Sequence, residues 1–174
     1  MDESSIAAYV REHIEPLPHP HYGPRYRVAA TLKDGLFLPC VVIASRTRRL
    51  ELADKRLKET KLDERILSTF VCSGNRLNHY DIATLSVSPY AIPLSHLKNM
   101  GGETSMMWTQ FHVIMNDNKE FIFGTTFLDE FFSMPDGYSA DNVIRIFPAQ
   151  KGERITAEGI YRERPFFECL IAGL

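Results

Sequence analysis

The sequence predicts an α+β fold: a single domain over residues 1–174, with a predominantly antiparallel sheet built from β-hairpins and two or three helices packed on it. Two runs of alternating hydrophobicity, each interrupted by a turn rich in Gly, Asp or Asn, predict the hairpins. Helical periodicity at 4–15 and 47–69 predicts the helices. No linker-like segment divides the chain, and 174 residues bury roughly 70% of the unfolded surface without metal or disulfide.

Residues 4–15 place Ile6, Tyr9, Val10, His13 and Ile14 on one helical face, with Ser4 or Ser5 as cap. Pro16 ends that helix, and four prolines between 16 and 24 predict an extended segment. In the first hairpin Tyr26, Val28, Ala30 and Leu32 alternate with other residues. Lys33-Asp34-Gly35 turns the chain, and 36–44 returns as an apolar strand. Pro39 has no N–H to donate, so it belongs at a sheet edge or a bulge.

From Thr47 to Thr69 a helix buries Leu50, Ala53, Leu57, Leu62, Ile66 and Leu67, with charges on the other positions. Ser73-Gly74-Asn75 closes it. Ala83, Leu85 and Val87 alternate, and Pro89 and Pro93 predict an edge strand or ordered loop. Gly101-Gly102 breaks the chain before the second hairpin, where Phe111, Val113 and Met115 oppose Phe121 and Phe123 across Asn116–Lys119. The spacing Thr126 to Asp129 resembles a capping box and predicts a short helix reaching Met134. Segments 143–147 and 166–171 read as strands, with 155–161 a weaker one. Hairpin then helix thus recurs at 26–67 and 109–134, although the residues scarcely match.

The 20 basic and 22 acidic side chains nearly cancel, whereas a protein that grips phosphate backbones carries a basic excess or face. Three cysteines, Cys40, Cys72 and Cys169, are odd in number and widely spaced. Cys40 and Cys169 sit in apolar strands, which predicts buried thiols and a reducing, cytoplasmic setting. The start, Met1-Asp2-Glu3, has neither the basic nor the apolar region of a signal peptide. The longest uncharged stretch, 82–97, is broken by two prolines, so no membrane association is expected.

Catalytic patterns occur only in fragments. Ser95-His96-Leu97-Lys98 has the S-x-x-K spacing of penicillin-recognising enzymes but lacks their downstream motifs, and Pro93 disfavours a helix there. His13, Glu15 and Pro39-Cys40 approach the zinc-deaminase pattern, yet position 43 is Ile where a second Cys ligand is needed. Cys72 to Arg76 is too short to cradle a phosphate. His19-Pro20-His21, if extended, places two imidazoles about 6.6 Å apart on one side. A third ligand, from Asp81, His79 or His112, could come only through the fold. No metal and no cofactor are expected.

Three functional readings follow. In the first, the protein is non-catalytic and acts by binding a protein partner or by forming a homo-oligomer, with Met106, Met107 and Trp108 as an adaptable surface. In the second, a hydrolase site of His and carboxylate groups (His19, His21, His79, Asp81, His112, Glu168) is assembled by the fold. In the third, nucleic acid binds the basic segment 46–61. Arg46, Arg48 and Arg49 are the candidate binding residues, since arginines at a helix start oppose its dipole and invite an anion. Acidic residues interleave with them, which favours a solvated helix face and makes nucleic acid the weaker partner. The aromatics Phe121, Phe123, Phe127, Phe131, Phe132 and Tyr138 read as core.

Overall fold

The computed structural model describes residues 1–60, 75–126, 128–153 and 159–174. The chain divides into two compact units, Met1–Val87 with Phe166–Leu174, and Ser88–Pro165. The architecture is α+β with two mixed sheets, in place of one predominantly antiparallel sheet.

The first unit opens with α1 (Glu3–His13). Its cap is Asp2, two residues before the first of the two expected serines: the carboxylate accepts from Ser5 N–H at 2.7 Å, which lowers the Asp2 pKa. Ile6, Ala7, Val10 and Ile14 are buried as the periodicity requires, whereas His13 is exposed. Strands β1 (Pro16–Leu17), β2 (Arg25–Leu32) and β3 (Phe37–Ser45) follow. The β2–β3 hairpin forms where alternation placed it. Gly35 takes φ +90°, and Leu32 N–H donates to Leu36 O at 2.8 Å.

Between the pairs Val28–Val41 and Ala30–Leu38, two residues of β3 face one of β2. This bulge holds Pro39 and Cys40, the placement that proline's missing donor demands. β4 (Ile82–Val87) pairs with β2, but its register slips between Thr31 and Leu32. Ile82 and Leu85 are therefore buried, while Ala83 and Val87, expected inside, are exposed.

β9 (Phe167–Ile171) lies beside β3 and runs parallel to it, so the sheet order is β1-β2-β3-β9 with β4 on β2. One face carries Tyr26, Val28, Val41, Ile43, Cys169 and Ile171, packed with α1. The other carries Arg25, Arg27, Val42, Ala44 and Glu168, and all five are buried. β3 is covered on both faces, which explains its nearly continuous apolar run.

In the second unit, α3 (Leu94–Leu97) begins directly after Pro93. The proline expected to disfavour a helix starts it instead, because its carbonyl accepts from the His96 and Leu97 amides and no donor is needed there. β5 (Thr109–Met115) and β6 (Glu120–Thr125) form the second hairpin, and Asn118 takes φ 66° in its turn. β7 (Val143–Pro148) flanks β5 and β8 (Ile160–Arg162) runs parallel to β6, giving the order β7-β5-β6-β8. Phe111, Val113, Met115, Phe123, Phe132 and Ile146 build the core, with the Phe111 and Phe132 rings edge to face at 5.3 Å.

The helix expected from 126 to 134 does not form. Thr126 Oγ donates to Glu163 Oε1 at 2.7 Å instead of capping a helix. Phe132 bridges antiparallel to Glu163, Ser133 N–H donates to Arg162 O at 2.8 Å, and Arg164 N–H donates to Phe131 O at 2.8 Å. An extended segment lets the neighbouring Phe131 and Phe132 both be fully buried, with Phe131 O and Ser133 N–H paired to 162–164 and Phe132 N–H donating to Tyr90 O at 3.0 Å. The second hairpin-plus-helix unit therefore does not exist. Of the six aromatics read as core, Phe123, Phe131 and Phe132 are buried, Phe121 and Tyr138 pack against the core, and Phe127 lies outside the described residues.

Candidate functional site

β3 runs without a loop into α2 (Arg46–Thr60), so the three candidate arginines occupy its first turn. The remainder of the 47–69 helix expected from sequence lies outside the described residues. An α-helix turns about 100° per residue, and the three side chains accordingly leave in different directions. Arg46 pairs with Glu3 at 2.9 Å. Arg49 is drawn inward, where its guanidinium bonds Glu168 and lies 3.8 Å from the Tyr22 ring centroid. Arg76 bonds the other carboxylate oxygen of Glu168. Arg48 is exposed, its N–H donating to Ser45 Oγ at 3.4 Å. The structure thus separates Arg46, Arg48 and Arg49; they do not form one basic patch.

Among the described side chains of α2, Ala53 is buried as expected and Arg49 is half-buried, whereas Leu50 is 48% exposed and Leu57 lies outside the described side chains. Ionic seating over Glu168 rotates the helix away from its hydrophobic pattern. Farther along, Lys58 and Asp54 make the i,i+4 pair expected of a solvated face, at 2.6 Å.

Opposite Arg48, the proline segment is extended at β1 (Pro16–Leu17), as expected, and then turns at 20–22. Gly23 N–H donates to His19 O at 3.2 Å, and His19 Nδ1 accepts from the His21 and Tyr22 amides at 3.2 and 3.1 Å. The His19 ring stacks on Tyr22 at 4.2 Å. The two imidazoles lie 5.9 Å apart with planes at 63°, and Nδ1 of His19 already accepts from two backbone amides. Gly23 takes φ +71° and closes the turn against Arg48, whose Cδ stands 2.7 Å from where a Cβ would be.

Two open grooves border this turn. One, of about 250 Å³, is lined by Pro20, His21, Arg48, Glu51, Leu52 and Lys55. The other, of about 260 Å³, is lined by Pro16, Pro18, His19, Gly23 and Pro24. The first offers two fixed cations, one carboxylate and an apolar side chain. The second is a nearly apolar trough.

Of the remaining titratable candidates, His79 and Asp81 share the short turn His79–Asp81. His79 lies 3.6 Å from Glu3, His112 stands between Glu120 and Glu153, and Glu168 is held by two arginines. His19 belongs to one groove and His21 to the other, so neither groove brings two of the six proposed hydrolase groups together. Among the described residues, no three His, Cys, Asp or Glu side chains converge on a metal position. Burial pushes the Cys169 thiol up to about 12, aided by the charges of Glu3 and Glu168, so it is not a thiolate nucleophile at neutral pH.

The chain matches no family model, no curated protein and no solved structure. The chemistry has to be read from the side chains themselves.

Met106 and Met107 are exposed at a tight turn, with Met107 at φ 58°, as expected of a displayed surface. Trp108 is not part of it. Its ring lies over Gly124 and under the Arg162 guanidinium, 4.8 Å away. Tyr22 and Glu168 organise the arginine cluster, and sequence reasoning assigned Tyr22 no role. A tyrosine within a proline turn carries no local signal, and Glu168 is 119 residues from Arg49. The lone charge inside the apolar strand Phe166–Ile171 was the one available hint that a buried partner exists.

Proposed function

We propose that the protein is a non-catalytic binding module that takes an acidic, partly apolar segment of a partner protein into the groove between the His19–Gly23 turn and α2. The observation that supports this is the division of labour among the three arginines. Arg46 and Arg49 are paired with Glu3 and Glu168, while exposed Arg48 joins His21 and Lys55 at a groove floored by Leu52. A carboxylate-bearing peptide placed there meets two cations at its rim and an apolar side chain beneath, and Glu51 favours a particular register by repelling acids at one end.

The nucleic-acid reading has less support, because two of its three arginines face carboxylates of this chain. The hydrolase reading has less as well, since neither groove holds two of the groups it needs. Among the described residues, no helix is long and apolar enough to cross a membrane. Buried Cys40 and Cys169, neither in a disulfide, favour a reducing compartment, which supports the cytoplasm as the proposed location.

Selection of random displayed peptides on the folded protein tests the proposal. Enriched sequences are expected to combine Asp or Glu with an apolar residue. Their affinity should fall roughly tenfold in the Arg48→Glu/Lys55→Glu double variant. Enrichment of neutral or basic peptides, or binding unchanged by the double variant, would overturn it. Light scattering on the same samples distinguishes a second copy of this chain as the occupant: a dimer lost in the double variant assigns the groove to self-association.

A further inference from the structure

His112 stands on the face of the four-stranded sheet turned away from the aromatic core, since its neighbours Phe111 and Val113 fill that core. Its side chain is 12% exposed. Nδ1 lies 2.5 Å from Glu120 Oε1 of β6, and Nε2 lies 3.3 Å from Glu153 Oε1 in the turn after β7. The ring is stacked on Phe147, its register partner on β7, with centroids 4.8 Å apart and planes at 2°. Arg145 sits over that phenylalanine at 5.1 Å, and Lys151 of the turn is exposed.

A carboxylate accepts hydrogen bonds and donates none. A neutral imidazole carries one N–H and one lone pair. Two carboxylates on opposite ring nitrogens are therefore satisfied together only by the imidazolium. Glu153 is such a carboxylate: the Gln150 N–H donates to its Oε2 at 2.9 Å and, with a smaller pull from His112, holds its pKa below the usual range. Its own N–H donates to Gln150 O at 3.0 Å, and Gly152 takes φ +83°. One glutamate thus closes the turn on itself and ties it to the sheet.

We infer that His112 is a proton-operated latch that clamps the Gln150–Glu153 turn onto β5. Protonated, the ring donates to Glu120 and Glu153 at once. When the proton leaves to solvent, one N–H remains and stays on the shorter contact to Glu120. The Nε2 lone pair then faces the Glu153 carboxylate, and the turn keeps only its local bonds. The charged groups around the ring are Glu120, Glu153 and Arg145, with Lys151 on the turn. The clamp is present while the ring carries both protons and is released when rising pH removes one.

Native-state hydrogen exchange of amides 150–153, corrected for intrinsic rates, tests this at about pH 5.5 and about pH 8. Protection is expected to drop roughly three- to fivefold at the higher pH, the factor one solvent-screened ion pair supplies. Glu153→Gln keeps an acceptor for Gln150 N–H and presents an amide that donates to the neutral ring but meets an N–H of the protonated one, so the fall in protection at the higher pH should be abolished or reversed. Ring ¹⁵N shifts should show both nitrogens protonated in the wild type at the lower pH. Equal protection of the wild type at both pH values, or an unchanged pH dependence in Glu153→Gln, would overturn the latch.

Discussion

Glu168 offers the sharpest test of how this protein is held together. Its side chain is 8% exposed, and its two oxygens are bonded by Arg49 and Arg76, whose side chains are 11% and 20% exposed. Burial at this level prevents water from replacing a lost partner. Glu168→Gln preserves volume and the backbone pairs of Glu168 with Asn75 and Leu77, 2.9 and 3.0 Å long. It removes the negative charge between two guanidiniums and turns an NH₂ donor towards one of them. Breaking a buried pair in this way costs about 3–5 kcal/mol. Domains of this size carry about 5–15 kcal/mol in total and shift by about 2–4 °C per kcal/mol. A fall in Tm of about 10 °C is therefore expected, with a matching drop in urea midpoint.

The triple variant Arg49→Met/Glu168→Leu/Arg76→Met removes these three charges together and should recover most of that loss, because apolar packing replaces ion pairs whose desolvation nearly cancels their attraction. Chemical denaturation with m-values checked for constancy reads both effects. A loss below about 1 kcal/mol for Glu168→Gln, the value of a surface pair, would refute the reasoning. So would a triple variant no more stable than the single.

Two further outcomes follow from local geometry. Gly124 faces the Trp108 ring so closely that a Cβ would lie 2.1 Å from Cζ2, so Gly124→Ala should expel the indole and break its stacking with Arg162. Trp108 is the single tryptophan of the sequence, and a red shift and quenching of its emission read the change directly; an unaltered spectrum would contradict the contact. Asp117 is held at a pKa of about 2, first by the Tyr138 hydroxyl at 2.7 Å and then by Lys119. The folded pKa is depressed, so the stability it adds is present above the ordinary carboxyl range and is lost as pH falls from about 4 towards 2. Tyr138→Phe should raise the Asp117 midpoint measured by carboxyl NMR and flatten the acid limb of stability in that window; an unmoved midpoint would exclude the hydroxyl as the cause.

Both hairpins were legible in the sequence because alternation and turn chemistry act over a few residues. Asp34-Gly35 and Asn116–Lys119 supply turns that reverse the chain, and Pro39 announces its bulge through a missing donor. The helix expected after Thr126 was lost to competitors the local pattern does not contain: the segment 162–164, which pairs with Phe131 O and Ser133 N–H, and Tyr90 O, which takes the Phe132 N–H. Leu50 was misplaced for a related reason: the hydrophobic pattern of α2 was outweighed by an ion pair made with a strand more than a hundred residues away. Of the candidate site, Arg48 was named from sequence. The His19–Tyr22 turn that makes its groove was not, because four prolines describe local stiffness and not the hydrogen bonds of His19.

By itself the sequence determined the α+β class, the two hairpins, the buried thiols of Cys40 and Cys169, and the capacity of α1 to present one apolar face. These rest on backbone preferences and on short-range burial patterns, which each segment carries alone. The tertiary structure decided strand direction, the seat of α2 and the fate of every charged side chain of interest. A parallel pairing such as β3 with β9 leaves no mark in either strand's periodicity. Whether an arginine is free for a ligand or spent on a glutamate depends on Coulomb and desolvation energies between residues far apart in the chain. Three adjacent arginines look alike in sequence; only the folded positions of Glu3, Glu168 and the proline turn make Arg48 different from its neighbours.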